Sequence, residues 1–227
     1  MHYKEFLEFK HLGFNVFTLS AMATIVFTVF EAWGLHKQSK LIREKKSGQS
    51  LDNYLFIYLI FMFVASIVYG IEINSLALII NGCLFLFCVP VLLGLGKYKG
   101  FSLKEKVFFV FCFVVLVFML LSDVKEFMFL FIMSGIILAL LSQLLEINKN
   151  KDSGVVEIKL ILVYFISTFF WVVYSFLADD LTLFFVTGTS LIILFFIIYS
   201  WLKHNKEKNY FIVFIKGGEY YEKNKPK

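Results

Sequence analysis

The chain has 227 residues and a net charge of +5, and 59% of its residues are hydrophobic while only 17% are charged. Soluble domains contain about 45–50% apolar residues, so a soluble core of this size could not bury so many apolar side chains. The composition excludes an ordinary soluble domain and predicts a protein that lies in a membrane.

Seven long uncharged stretches follow one another along the chain. A helix that crosses a bilayer needs about 20 mostly apolar residues, and six of the stretches meet this length. The fourth is short and must borrow residues from its flanks. The stretches are 11–30, 53–71, 73–96, 107–122, 127–145, 160–178 and 181–202. They predict an all-α membrane protein with seven transmembrane helices.

The basic residues predict the orientation. If the N-terminus lies outside, the inner segments hold nineteen of the 22 Lys and Arg residues. These segments are 35–52, 97–106, 146–159 and 203–227. Basic loops face the cytoplasm, so we expect a multi-pass protein of the cell membrane with its N-terminus outside and its C-terminus inside.

Residues for other kinds of chemistry are missing or scattered. The four histidines stand near charged segments without a Ser or Cys partner, and no Gly-rich phosphate loop is present. The pair Asp179–Asp180 lacks the His or Cys that would favour a metal. We therefore expect no enzyme activity, no cofactor and no metal. The basic tail is interrupted by acidic residues, which disfavours nucleic acid as a partner; a homo-oligomer stays open.

A unit of three apolar segments occurs twice, about 105 residues apart. An odd number of spans reverses the direction of the chain, so the second unit runs parallel to the first only if one extra span lies between them. The short fourth stretch provides that span. We predict a first three-helix repeat at 1–96, a linker helix at 97–124, a second repeat at 125–202 and a cytoplasmic tail at 203–227. Transporters with parallel repeats place their solute site between the halves.

Motifs in both copies resemble a known family. Gln38 leads through basic residues to Lys46-Ser47-Gly48-Gln49-Ser50, and Gln143 precedes a similar stretch in the second copy. Downstream, Ser-x-x-Tyr-Gly with Asn-Gly, and Trp-x-x-Tyr with Thr-Gly, complete the pattern. In order and spacing these motifs resemble the PQ-loop repeat proteins, and in particular the MtN3/SWEET branch of sugar facilitators.

The resemblance implies a facilitator that moves a small neutral polar solute, most simply a sugar, by alternating access between two parallel three-helix bundles. It implies a substrate site made of Ser66, Asn81, Trp171 and Thr187. It also implies an outer gate made of Tyr69, Tyr174 and Asp180. Amide and hydroxyl groups both donate and accept hydrogen bonds, and an indole offers a flat apolar face to a sugar ring.

The chain departs from the family in its prolines, because the Pro of the Pro-Gln pair is missing from both copies. Proline kinks serve as hinges in helices, so Gly34 and Pro90 become the candidate replacements. We also expect Gly82 and Gly188 to allow close helix approach.

Three alternatives stay open. Glu31, in the first span, is an ionisable group at membrane depth; it could couple transport to protons, as in amino-acid carriers of the PQ-loop group, or pair with Lys37 or Lys40 near the headgroups. The polar residues of the predicted site could instead bond helix to helix. The basic tail is compatible with a seven-span receptor or assembly protein.

Overall fold

The computed structural model describes residues 6–10, 13–177 and 180–205, and within these ranges the chain is helical, without strands. The tail after residue 205, to which the receptor alternative was assigned, lies outside the described residues. The helices are α1 (Leu7–Lys10), α2 (Val16–Lys45), α3 (Asn53–Ile73), α4 (Leu76–Gly82), α5 (Phe85–Tyr98), α6 (Leu103–Leu121), α7 (Lys125–Asn150), α8 (Ile158–Leu177) and α9 (Leu181–His204).

Six segments of the described chain are long and apolar enough to cross a membrane: α2, α3, the α4–α5 pair as Leu76–Tyr98, α7, α8 and the part of α9 from Leu183 to His204. The remaining predicted span, which is the fourth in chain order, is α6, with 19 residues. Three charged residues, Lys104, Glu105 and Lys106, occupy its first turn, which leaves it marginal as the sequence indicated. An integral membrane protein that crosses the bilayer several times is thus confirmed.

The repeat is visible in the helix ends. Helices α4 and α9 begin 105 positions apart, and each is capped by a side chain (Ser75 and Asp180) that accepts a hydrogen bond from the backbone N–H three residues on. Helices α2 and α7 also end 105 positions apart, and the residues that follow them, Lys46 and Lys151, both adopt the left-handed conformation. The same local signals therefore start and stop matching helices in both copies.

Helix packing produces a closed ring. In each bundle the third helix contacts both of the others: α4–α5 contacts α2 and α3, and α9 contacts α7 and α8. The bundles meet where α2 packs on α8 and where α3 packs on α7. Contacts such as Phe27 with Phe170 and Gly34 with Leu160 show that α2 and α8 are antiparallel. The linker α6 packs on the outside, mainly against α3. The predicted fold, two parallel three-helix bundles with a linker helix, is confirmed; the exact domain boundaries stay predictions.

The third span of the first bundle is interrupted. Helix α4 ends at Gly82, and α5, which contains Pro90, begins at Phe85, after two intervening residues. By contrast, α2 is unbroken through Gly34, which lies so close to α8 that an added Cβ would stand 3.2 Å from the Cα of Leu160. Gly34 is therefore a close-packing position, and the break in the first bundle lies between α4 and α5.

The two glycines beside the polar residues behave differently. A Cβ on Gly82 would stand 2.6 Å from the carbonyl oxygen of Phe63, so α4 can approach α3 only because residue 82 has no side chain. At Gly188 a Cβ would meet nothing within 4 Å. Close helix approach was predicted correctly for Gly82 and wrongly for Gly188, because α9 is not crowded at that level.

Candidate functional site

A cavity of about 150 Å³ lies between the two bundles. An engineered cavity of this volume in another protein admits one benzene molecule, so the space corresponds to one six-membered ring. Its wall is largely apolar and comes from α2, α3, α4, α7, α8 and α9 together with the two loops that follow α2 and α7. Both bundles thus contribute to one chamber.

The four residues predicted to bind the solute all line this cavity: Ser66, Asn81, Trp171 and Thr187. The Asn81 side chain is 8% exposed and donates a hydrogen bond from Nδ2 to Thr28 Oγ1, at 3.3 Å. The structure therefore brings the quartet together, although no ligand contact tests its role.

Two hydroxyls of the quartet also bond to their own helices. Ser66 Oγ donates to the carbonyl of Met62 at 3.0 Å, and Thr187 Oγ1 donates to the carbonyl of Leu183 at 2.8 Å. This is the local back-bonding that Ser and Thr make in membrane helices. It occupies the hydroxyl hydrogen and leaves the oxygen lone pairs for a ligand.

The pairing of Asn81 with Thr187 is offset by one residue from the structural repeat. The caps at Ser75 and Asp180 set a spacing of 105, and at that spacing the partner of Asn81 is Val186. Both Val186 and Thr187 line the cavity. The two copies therefore present different chemistry at this level of the wall.

Aromatic contacts cross between the bundles at one end of the cavity, which we call the outer end because the predicted orientation puts it outside. Tyr69 of α3 stacks on Phe129 of α7 with ring centroids 4.4 Å apart. Tyr174 of α8 lies against Phe17 of α2 at 5.2 Å and against Trp171 at 5.5 Å. These contacts form the outer layer. Tyr69 and Tyr174 belong to this layer and not to the cavity wall.

Asp180, the third predicted gate residue, caps α9. Its Oδ1 accepts a hydrogen bond from the backbone N–H of Leu183 at 2.8 Å. It lies near enough to Tyr69 and Tyr174 to interact with both electrostatically. Asp180 thus lies beside the outer layer, and its carboxylate caps α9.

Glu8 is a residue of the outer end that the sequence did not single out. Its carboxylate is 7% exposed and accepts hydrogen bonds from the hydroxyl of Ser75 at 2.7 Å and from the backbone N–H groups of Leu76 and Ala77 at 2.9 and 3.1 Å. The contact attaches the N-terminal segment to the start of α4. Glu8 is one of two acidic residues in the short N-terminal segment, and it belongs to no sequence pattern that could have revealed its role.

Gln38 makes a contact between the bundles at the opposite end, the inner end. It extends from α2 to the loop before α8, where its Nε2 donates to the carbonyl of Val155 at 2.7 Å and its Oε1 accepts from the backbone N–H of Glu157 at 2.8 Å. The side chain is only 1% exposed. Both functional groups of the carboxamide are therefore satisfied by the loop of the other repeat.

Gln143 makes the corresponding contact from the second repeat. Extending from α7, its Nε2 donates to the carbonyl of Ser50 at 2.8 Å and its Oε1 accepts from the backbone N–H of Asp52 at 2.9 Å. Residues 50 and 155, and likewise 52 and 157, stand 105 positions apart. Each of the two glutamines thus binds the loop that follows the other glutamine. We call this pair of contacts the glutamine clasp.

The two clasped loops also touch directly. Ser50 Oγ donates to the carbonyl of Asp152 at 2.6 Å, and the backbone N–H of Val155 donates to the carbonyl of Gln49 at 3.2 Å. Gly154 has a φ of +55° and packs on Gln49 so closely that a side chain could not fit. The inner end is closed by these loops and the clasp together.

Asp52 introduces a titratable group at the inner end, outside the spans. It caps α3 by accepting from the backbone N–H of Leu55 at 3.0 Å. Burial raises the pKa of its carboxyl above the usual range, while interactions with Ser142, with backbone N–H groups and with Lys99 offset part of the effect. A raised pKa means that closure of the inner end favours the protonated form.

Glu31 lies in the cavity wall, 3% exposed. It does not pair with either predicted lysine: Lys40 binds Glu44 at 3.6 Å, and Lys37 lies over the ring of Trp33. The headgroup alternative for Glu31 is therefore wrong, because its side chain faces the interface between the bundles. Four further hydroxyl residues of the wall were not assigned to the site from the sequence: Tyr164, Ser167, Thr168 and Ser190. Hydroxyls in apolar helices are too common to stand out.

Comparisons with known proteins support the fold. No protein-family model and no curated protein sequence matches the chain. The chain is similar to a solved structure of a eukaryotic SWEET transporter, with a TM-score of 0.58 and 16% sequence identity, over 83% of this chain and 96% of that chain. The SWEET-type fold that the motifs predicted is confirmed. At this identity the likeness concerns the fold.

Proposed function

We propose that the protein is a facilitative transporter of a small polar solute, in the first place a sugar, and that it works by alternating access. One observation carries the proposal: Ser66 and Asn81 of the first bundle and Trp171 and Thr187 of the second bundle line the same cavity. Amide and hydroxyl groups beside an indole face suit a polyhydroxylated ring. The fold shared with a structure described as a SWEET transporter supports the same class.

The outer layer and the glutamine clasp provide the two sets of contacts that would open in turn. The outer layer and the glutamine clasp both cross the interface between the bundles, at opposite ends of the cavity. Rocking one bundle against the other separates the contacts at one end while it compresses the other end. A solute in the cavity is then exposed to one side of the membrane at a time. The break between α4 and α5 supplies a flexible point in the first bundle.

Uptake into proteoliposomes tests the proposal with matched pairs of variants. Asn81→Ala removes an amide from the cavity wall, whereas Asn150→Ala removes one from an exposed helix end. Trp171→Leu removes the cavity indole, whereas Trp33→Leu removes one that is 45% exposed. We expect the two cavity variants to lower radiolabelled sugar uptake by about tenfold or more, since each loses direct solute contacts. The surface variants should transport normally.

The decisive result is the behaviour of Asn81→Ala. If the variant is folded, as judged by its thermal unfolding, and still transports sugar at the rate of the parent protein, the quartet does not form the site. Absence of uptake for every sugar tested in the parent protein would argue against the proposed substrate class.

Proton-coupled transport is the second candidate, and Glu31 is the observation that favours it. A carboxyl in the wall of a transport cavity can bind a proton on one side of the membrane and release it on the other. Uptake should then accelerate when an inward proton gradient is imposed, and Glu31→Gln should remove that acceleration. Uptake that ignores the gradient would dismiss this candidate.

A further inference from the structure

Glu31 is the only charged side chain among the described residues that line the cavity. The ion pairs formed within the described ranges lie elsewhere, at Lys40–Glu44, Lys99–Glu146 and Lys125–Glu72. A buried carboxylate without a positive partner is costly, and proteins compensate such a charge with a cation, a metal or a proton. Among the described residues that line the cavity there is no Lys, Arg or His that could do so. The compensating group must therefore come from outside the protein.

Two hydroxyls of α8 lie beside this carboxyl. Ser167 neighbours Glu31 closely enough to interact with it, and Tyr164 lies within its electrostatic reach one helical turn away. Both hydroxyl oxygens are buried; Tyr164 has no hydrogen-bond partner within the described ranges, and the partner of Ser167 is the Glu31 carboxyl. Cys88 of α5, fully buried, is the other polar neighbour; its thiol is a weak donor and acceptor. A carboxyl and two hydroxyls thus meet in one place, and the hydroxyl oxygens keep lone pairs that can accept from a ligand.

The rest of the wall also favours a ligand that donates hydrogen bonds. The hydroxyl hydrogens of Ser66, Thr187 and Ser190 are directed to backbone carbonyls of their own helices, at 3.0, 2.8 and 2.8 Å. Their oxygens are left as acceptors. An anionic solute would face the Glu31 carboxylate without a positive group among the described wall residues, so the cavity selects against it.

We propose that the transported solute carries a primary ammonium group beside its hydroxyls, as an amino sugar does, and that this ammonium binds Glu31, Tyr164 and Ser167. An ammonium has three N–H donors and no acceptor, which matches three oxygen acceptors in one place. A proton on Glu31 would also neutralise the charge, so the uptake test below must distinguish a bound ammonium from a bound proton. The inference rests on the proposed transport function and replaces the neutral solute expected from the sequence with a cationic one.

The size of the cavity agrees with a single ring. Its volume of about 150 Å³ corresponds to one six-membered ring. Trp171 stands one turn beyond Ser167 on α8 and also lines the cavity. A ring stacked on the indole would have an amino substituent within one helical turn of the carboxyl.

The test compares D-glucosamine with D-glucose in the full-length protein. We expect D-glucosamine to be taken up in preference, and the ratio of the two uptake rates to fall by about tenfold or more in Glu31→Gln, since a charge-assisted hydrogen bond is lost. Tyr164→Phe and Ser167→Ala should lower the ratio by smaller factors. Glu44→Gln, an exposed carboxylate on the same helix, should leave it unchanged.

Binding is measured in parallel, as the increase in melting temperature of detergent-purified protein with each sugar. A Glu31-dependent increase for D-glucosamine without uptake of either sugar would support the ammonium site while ending the proposed transport function. Equal uptake of both sugars, with the ratio unchanged in Glu31→Gln, would overturn the ammonium site and leave the transport function standing. Uptake of D-glucose that requires a proton gradient and Glu31 would also overturn it, in favour of a proton at that carboxyl. So would the absence of any D-glucosamine binding.

Discussion

Replacing Gln143 with Met removes one half of the glutamine clasp without changing the length of the side chain. The parent Gln143 makes hydrogen bonds of 2.8 and 2.9 Å to the backbone of the loop that follows α2. Methionine makes neither, so a carbonyl at Ser50 and an N–H at Asp52 lose their partners when the inner end is closed. When the inner end opens, water can satisfy both groups. The substitution therefore acts on the closed conformer alone.

The magnitude follows from the two bonds. A hydrogen bond contributes a net amount of about 0.5–1.5 kcal/mol, so two bonds amount to roughly 1–3 kcal/mol. A difference of that size shifts the equilibrium between closed and open inner ends about 5–150-fold. Gln38→Met should have a similar effect, because Gln38 makes the same two kinds of bond to the other loop.

Spin labels measure the shift directly. Lys46→Cys and Lys151→Cys place labels at the exposed ends of α2 and α7, in a protein from which the native cysteines have been removed. Pulsed dipolar spectroscopy in lipid should show a larger fraction of long distances in Gln143→Met. Gln49→Met is the matched control: its side chain is exposed on the same loop, and only its backbone takes part in the loop contact.

An unchanged distance distribution in Gln143→Met would refute the idea that the clasp holds the inner end closed. An equal shift in Gln49→Met would also refute it, since the effect would then arise from any change to the loop.

Three further predictions use other parts of the structure. Burial raises the pKa of Asp52 in the closed conformer. The closed inner end should therefore be favoured as pH falls and lost as pH rises through that raised pKa. Asp52→Asn should abolish this pH dependence of the spin-label distances, and a pH dependence that persists in the variant would assign it to another group. Tyr69→Ala removes the stack on Phe129, worth about 0.5–1.5 kcal/mol beyond buried area, so labels at the outer ends of α3 and α7 should move apart; identical distances would contradict an outer layer. Gly82→Ala should lower the free energy of unfolding by about 1–3 kcal/mol, because the added methyl group overpacks against α3. Gly188→Ala should be neutral or stabilising by up to about 1 kcal/mol. Equal melting temperatures for the two variants would contradict the packing argument.

The sequence by itself determined the fold class and the composition of the predicted site. The length and spacing of uncharged stretches reflect the thickness of the bilayer, and a duplicated triplet with one extra span allows only a parallel arrangement of the halves. The pairs Ser66 with Trp171 and Tyr69 with Tyr174 stand 105 residues apart, at the spacing of the repeat. Repetition made them visible, because residues with polar groups recur at matching depths in two otherwise apolar units.

The tertiary structure decided which side chains face the cavity and what they bind. Whether Glu31 meets lipid headgroups or the cavity depends on the rotation of α2 against α8, which the spacing of apolar residues leaves open when a helix is apolar on all sides. The crossing of Gln38 and Gln143 to each other's loops joins positions more than 90 residues apart. Such contacts depend on how the two bundles face each other, so only the packed molecule could reveal them.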